Sequence, residues 1–273
     1  MHLYHACAFG AAGRIVRPVE HHIPTQAATV LAMTGGHGHS RVENFEIPGI
    51  LRFRCAHSQV AGSFDDVNKV HTTLAQAVVE GLNFMDVITA DRVVCRISAH
   101  FPNTKGATEP SIITTGSHFE NLRIAGHRID VQLAHNVFSK HDTFEKIHKA
   151  YNSGKELHEW MVWNKLKGNE DSHPSLAEMS HGLAKLPETH GIYWTSPANH
   201  LQLESSNPKT CDLTNFGSVI RVPKFGVVHL AELLIQKGQR RLTMLRVKLG
   251  SPAGGDASFA DGSGNGTQYP PPG

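Results

Sequence analysis

Histidine offers the most chemistry in this sequence: twenty are spread from His2 to His229 among 273 residues. A compact tract would argue for metal storage, whereas a spread does not. The tightest constellation is His37-x-His39-x-x-x-Glu43. Imidazoles two residues apart on a strand point to the same side, and a carboxylate could complete a divalent-metal site. Gly35, Gly36 and Gly38 around the pair support the opposite reading, a turn by composition. A second constellation is His118-x-Glu120, with His127 beyond the Gly126 turn. Alternation puts His118 and Glu120 on one strand face, where an imidazole and a carboxylate could do acid–base work. A surface pair at a strand end is the plainer reading. His141, His148 and His158 fall loosely on one helical face, and a solvated face explains them equally well.

The string His37-x-His39-x-x-x-Glu43, followed by His57, resembles the first metal motif of the cupin family over residues 37–57. The resemblance implies a β-barrel and a metal held by two histidines, a glutamate and a later histidine. Here these would be His37, His39, Glu43 and His57. The family's second motif, a proline and glycine ahead of the last histidine, has no counterpart in the chain.

Other signatures are missing. There is no Gly-x-Ser-x-Gly elbow, no phosphate-binding Gly-x-x-x-x-Gly-Lys-Ser/Thr and no His-Glu-x-x-His. The four cysteines, Cys7, Cys55, Cys95 and Cys211, are far apart, without the Cys-x-x-Cys spacing of a zinc site. The formal net charge is +2, and only Arg240 and Arg241 form a basic pair. Neither nucleic acid nor an anionic membrane is expected as a partner. No apolar run approaches the roughly 18 residues of a spanning helix. The N-terminus lacks a basic region and a sustained apolar stretch, so it does not read as a secretory signal. Reduced thiols and a cytoplasmic setting are expected.

The elements that must position these residues are mostly strands. Residues 1–35 are mixed, with a short apolar run at Ala27–Met33. From Arg41 onward, alternation around Pro48-Gly49, then Thr72–Val79, Val87–Ile97, Ile112–Thr115 and Leu122–Leu133 read as strands. Asp91-Arg92, inside the Val87–Ile97 run, reads as a hairpin turn, with a barrel-lining charge as the alternative. Three segments resemble one another: those starting at Val42, Val79 and Phe119, thus 37 and 40 residues apart. Each runs apolar, Glu, Asn or Gly, apolar, any, apolar, as a strand bulged near its start would. Three related β-units in one sheet system are expected, against chance similarity among strands.

Residues 138–187 change period. Phe144, Ile147, Tyr151, Leu157, Trp160 and Met161 recur at helical spacing, broken at Asn152-Ser153-Gly154. A further helix is expected from Pro174, carrying Leu176, Met179, Leu183 and Leu186 on one face and ended by Pro187. Val227–Ile235 and Arg241–Leu249 then form a hairpin of two-sidedly apolar strands. After Gly250, the Gly-, Ser-, Pro- and Asn-rich composition predicts a mobile tail.

The expected fold is mainly β: a barrel or a two-layer sandwich over 1–250 with a helical insertion at 138–187 and a disordered tail at 251–273. A β-solenoid is the alternative. Two functions remain open. One is a non-enzymatic binding or assembly protein with a homo-oligomeric or protein partner and no cofactor. The other is a metal-dependent, cupin-like enzyme using His37, His39, Glu43 and His57.

Overall fold

A computed structural model describes residues 2–104, 106–153, 155–166, 180–204 and 213–268. Of the described residues 61% are strand and 15% helix, arranged as two antiparallel sheets that form no closed barrel among the described residues. In chain order the first strands are β1 (His2–Arg17), β2 (His21–Gln26), β3 (Thr29–Val30), β4 (Gly36–Ile47), β5 (Leu51–Asp65), β6 (Val70–Phe84) and β7 (Ile88–Pro102). The short β8 (Ser111–Ile113), β9 (His118–Glu120) and β10 (Arg123–Ile124) lead to β11 (His127–Leu133). The insertion follows: α1 (His135–Lys140), α2 (Phe144–Ser153), a 3-10 segment (Lys155–Trp160), α3 (Val162–Leu166) and α4 (Leu186–His190). The chain then returns to strands β12 (Tyr193–Thr195), β13 (Ala198–Glu204), β14 (Thr214–Phe216), β15 (Val219–Val222), β16 (Gly226–Gln236), β17 (Gln239–Leu249) and β18 (Gly254–Gln268).

Sheet I runs β14-β15-β16-β17-β18-β1-β2, with β12 also on β16 and β3 on β1. Sheet II runs β13-β11-β10-β7-β6-β5-β4, with β8 and β9 also on β7. One apolar cluster joins the two, from Leu230, Leu245 and Phe259 of sheet I to Val79, Phe84 and Val93 of sheet II. The sandwich expectation therefore holds, with its helical insertion; the solenoid does not.

Small residues bring the layers close. Ala6, Ala8 and Ala11 of β1 face a core that includes Ala56, Ala75 and Ala77 of sheet II. A Cβ added at Gly10 would lie 2.7 Å from that of Ala56, and one at Gly262 would lie 3.1 Å from Cys95 Sγ. Cα atoms of β1 and β18 approach those of β6 within 8 Å, tighter than the roughly 10 Å usual between stacked sheets.

Both sheets are crossed by a crease. In sheet II, Asn44, Gly81 and Asn121 have positive φ, and register places Arg54 and Asp91 between them in one line. In sheet I, Ala27, Ala231 and Ala260 have positive φ, with Met244 and Gly10 in line. A left-handed residue on every second strand turns two consecutive side chains to one face, after which alternation resumes out of phase. Thus Glu43 and Asn44 are both exposed, and so are Glu120 and Asn121, whereas Leu122 is buried. This explains the three similar segments: they are β4, β6 and β9–β10 at equivalent points of one crease.

Several expectations need correction. Residues 254–268 are not a tail but β18, hydrogen-bonded between β17 and β1 in the middle of sheet I. Backbone pairing on both sides and close approach to the opposite layer favour small residues here, which composition alone reads as disorder. Tyr269–Gly273 lie outside the described residues. Residues 1–35 contain the sixteen-residue β1, whose alanine-rich inner face gave too weak a hydrophobic signal. Gly36–His39 are the start of β4 rather than a turn. Asp91-Arg92 lie within β7 at the crease, not at a hairpin turn. Pro187 sits in the first turn of α4 instead of ending a helix. The expected helix positions Pro174, Leu176 and Met179 lie outside the described residues.

Candidate functional site

The outer face of sheet II collects most of the polar side chains that the sequence singles out. On β4, His37, His39, Arg41 and Glu43 all point outward and are exposed. Register aligns the neighbouring strands into rows. One row is Glu43, Cys55, Glu80, Arg92 and Glu120. The next is Arg41, His57, Val78, Val94 and His118. A third is His39, Gln59, Gln76 and Arg96.

Arginines stand beside each carboxylate of the first row. Arg41 lies 2.7 Å from Glu43, and Arg54 lies 3.2 Å from Glu80. Arg92 stands 3.8 Å from both Glu80 and Glu120, an electrostatic contact rather than a hydrogen bond. His118 Nε2 is 3.0 Å from Glu120 Oε1, so the expected pair forms, but both side chains are about half exposed, at 46% and 48%. His127 opens β11 opposite Ile124. Burial lowers the pKa of His57, opposed by Glu80 and reinforced by Arg41 and Arg92.

The four metal ligands proposed from the sequence share this face without converging. His37 and Glu43 are six residues apart on one extended strand, about 20 Å at roughly 3.3 Å per residue. His57 stands opposite Arg41, a guanidinium rather than a ligand. Divalent metal–ligand bonds are near 2 Å, so this set does not fit one ion. Among the described residues, no group of three or more His, Cys, Asp or Glu side chains is placed to hold a metal. The cupin resemblance ends with the fold as well, since the sheets form no closed barrel.

Sheet I presents a different outer face. Val162 and Leu166 of α3, with Leu183 and Trp194, pack over Val219 and Val227. Beneath this sheath lies a buried polar cluster. Glu232 accepts two hydrogen bonds from Arg246, at 2.6 and 2.7 Å, and the Arg246 guanidinium lies 5.3 Å from the Trp194 ring centre. His229 is 2% exposed, with neither ring nitrogen hydrogen-bonded. Its Nδ1 is 3.8 Å from Glu232, yet burial, with Arg246 and Lys248, holds its pKa well below the usual value; the pair is therefore not ionic. Burial pushes the Asp261 carboxyl up, opposed by Arg241 and the Thr243 hydroxyl.

The insertion histidines pack rather than line a solvated face. His148 Nδ1 is 2.6 Å from the Tyr193 hydroxyl, His158 stacks on Tyr151, and His141 is buried at the end of α1.

Residues 2–236 match a family described as a domain of unknown function, DUF8256. The chain belongs to this family. The matched region ends with β16, while β17 and β18 complete sheet I beyond it. Comparison with curated proteins and with solved structures finds no match. Among the described residues, no helix is long and apolar enough to cross a membrane.

A groove on the same face of sheet II escaped the sequence reading. Arg96, Ser98 and His100 of β7 point outward beside Thr72 and Leu74 of β6, bounding a cavity of about 410 Å³. The signal was available as the strict alternation Arg96-Ile-Ser98-Ala-His100, but no local motif marks it.

Proposed function

We propose that this chain is a non-enzymatic binding and assembly protein whose copies join edge to edge through β4. The supporting observation is the edge itself. Strand β4 is twelve residues long and ends its sheet, and among the described residues nothing pairs with its outer side. Thr29 lies beneath it instead, where a Cβ added at Gly38 would meet the Thr29 hydroxyl at 2.8 Å. A long free edge with neither proline nor lysine offers a template for another strand.

The crease at Asn44 leaves Gly36–Glu43 as the unbent half. Antiparallel self-pairing about Ser40 sets His37 against the partner's Glu43 and His39 against the partner's Arg41. No two carboxylates and no two guanidinia are brought opposite one another. A two-fold axis through such a joint runs normal to the sheet, so the outer faces of both copies lie on one side. A cytoplasmic setting, in which Cys7, Cys55 and Cys95 stay free, is part of this proposal. The metal-dependent alternative has no support from the separated His37, His39, Glu43 and His57.

Solution mass by light scattering tests the reading. The expected mass is twice the 29.8 kDa of one chain. Val42→Lys, which points a charge inward at the edge, is expected to give the single-chain mass with an unchanged circular dichroism spectrum. A single-chain mass for the unaltered protein, or a dimer indifferent to Val42→Lys, contradicts the proposal.

A further inference from the structure

The groove on β6 and β7 is held in shape by a tied loop. Ser117, 2% exposed, accepts a hydrogen bond from the Arg96 backbone N–H at 2.9 Å and donates one to the Arg96 carbonyl at 3.1 Å. His135 Nε2 approaches the Ser117 carbonyl at 3.0 Å and holds the loop from the other side. The loop crosses Arg96 at Gly116, whose φ is +96°. A Cβ there would lie 3.1 Å from Arg96 Cδ and 3.7 Å from its Nη1, so the missing side chain lets the arginine lie against the loop. The loop is thus tied to the Arg96 main chain and passes over its side chain at Gly116.

That guanidinium has no acidic partner among the described residues, although Arg41, Arg54 and Arg92 on the same face all do. No carboxylate lines the groove. Its other polar groups are hydrogen-bonding side chains: the hydroxyls of Thr72, Ser98 and Thr115, and the His100 ring, whose Nδ1 is 3.4 Å from Thr72 Oγ1. Leu74 and Ile113 supply an apolar patch. A planar fork of N–H donors matches a carboxylate in two parallel hydrogen bonds. Hydroxyls and imidazole match a polyol, and the patch matches the C–H face of a sugar ring. A cavity of about 410 Å³ falls in the range of small-ligand sites.

We propose that this groove binds a sugar acid, its carboxylate on Arg96 and its hydroxyls on Thr72, Ser98, His100 and Thr115. The site lies on β6 and β7, away from the β4 edge. Binding and assembly therefore fail separately, one read by titration and the other by mass.

The test is a titration of the full chain with sodium glucuronate, followed by ¹⁵N–¹H NMR including the arginine side-chain signals. Glucose and inorganic phosphate serve as the parallel arms. The expected result is saturable shifts at Arg96, Ser98 and Thr115 with a dissociation constant on the order of 1 mM, and no saturation with glucose. Arg96→Gln is expected to weaken binding by roughly tenfold or more, with Arg96→Lys intermediate because the charge remains but the fork is lost. Arg54→Gln, outside the groove, should leave it unchanged. Absence of saturation with glucuronate overturns the proposal, as does binding that survives Arg96→Gln. Phosphate binding as tightly as glucuronate would show a general oxyanion site and overturn the sugar-acid assignment.

Discussion

The two sheets carry charged side chains on their outer faces in opposite ways. On sheet I, Glu232 is 5% exposed and its arginine lies under Trp194. On sheet II, Glu43 and Glu120 are exposed, Arg41 is exposed and Arg92 is half-buried. Both arrangements sit at a crease, where sheet II turns two successive side chains outward and sheet I turns Leu230 with Ala231, and Phe259 with Ala260, into the core. The difference is the insertion, which sheathes one face and leaves the other open. Buried ion pairs depend on every partner being present, because each lost partner leaves a desolvated charge; exposed pairs contribute little and remain available to a ligand or partner. On the proposed reading, sheet I maintains the fold and sheet II is the interacting face.

The largest effect is expected at Arg240, 1% exposed and almost wholly on the maintaining side. It donates to the Ile112 carbonyl at 2.5 Å and the His141 carbonyl at 2.6 Å, tying β17 to sheet II and to the insertion. Burial lowers its pKa to about 10. Arg240→Met should cost about 4 kcal/mol in urea unfolding, since both carbonyls lose this donor. A loss near that of a surface arginine would break the comparison at its strongest point.

The sheath should also impose a pH dependence. Lys165 of α3 has its pKa lowered from 10.5 to about 8 by burial, partly offset by Glu159. Below about pH 8 the lysine is charged in both folded and unfolded chains, and the cost of burying the charge is present in full. Between pH 8 and 10.5 the folded chain releases the proton while the unfolded chain keeps it, so stability rises, by up to about 3 kcal/mol. Lys165→Met should flatten that rise. At the acid end the direction also follows from burial: His2, His57, His71, His135 and His229 all have lowered pKa values. As pH falls below 6.5 the unfolded chain takes up protons before the folded chain does, so stability drops. Calorimetry across the range reads both limbs.

A matched pair of substitutions sharpens the contrast. Glu232→Gln leaves Arg246 without its carboxylate under the sheath and should cost about 2 kcal/mol. Glu120→Gln on sheet II removes an exposed pair and should cost under about 1 kcal/mol. Equal costs would mean that the two faces do not differ as described.

Much of the fold was legible because strand period and turn residues are local. The β16–β17 hairpin, the β-branched run of β7 and the helical spacing around Phe144 and Ile147 follow from it directly. The alanine of β1 and the glycine and serine of β18 mislead because their fit depends on the opposing layer, which no local window contains. The site was half legible. His37, His39, Glu43, His57, His118 and Glu120 do share one face, as alternation implies. Their separation along β4 follows from the strand continuing through Gly36 and Gly38, where composition suggested a turn. Arg96 carries no motif, and its setting depends on Gly116 and Ser117, twenty or more residues further along the chain.

Hydrogen exchange at two protein concentrations tests the central claim most directly. If copies join through sheet II, amides of 36–43 exchange more slowly at high concentration than at low, while those of β14, at the end of sheet I, do not change. Protection that grows at β14 instead, or at neither edge, contradicts the division of labour between the sheets.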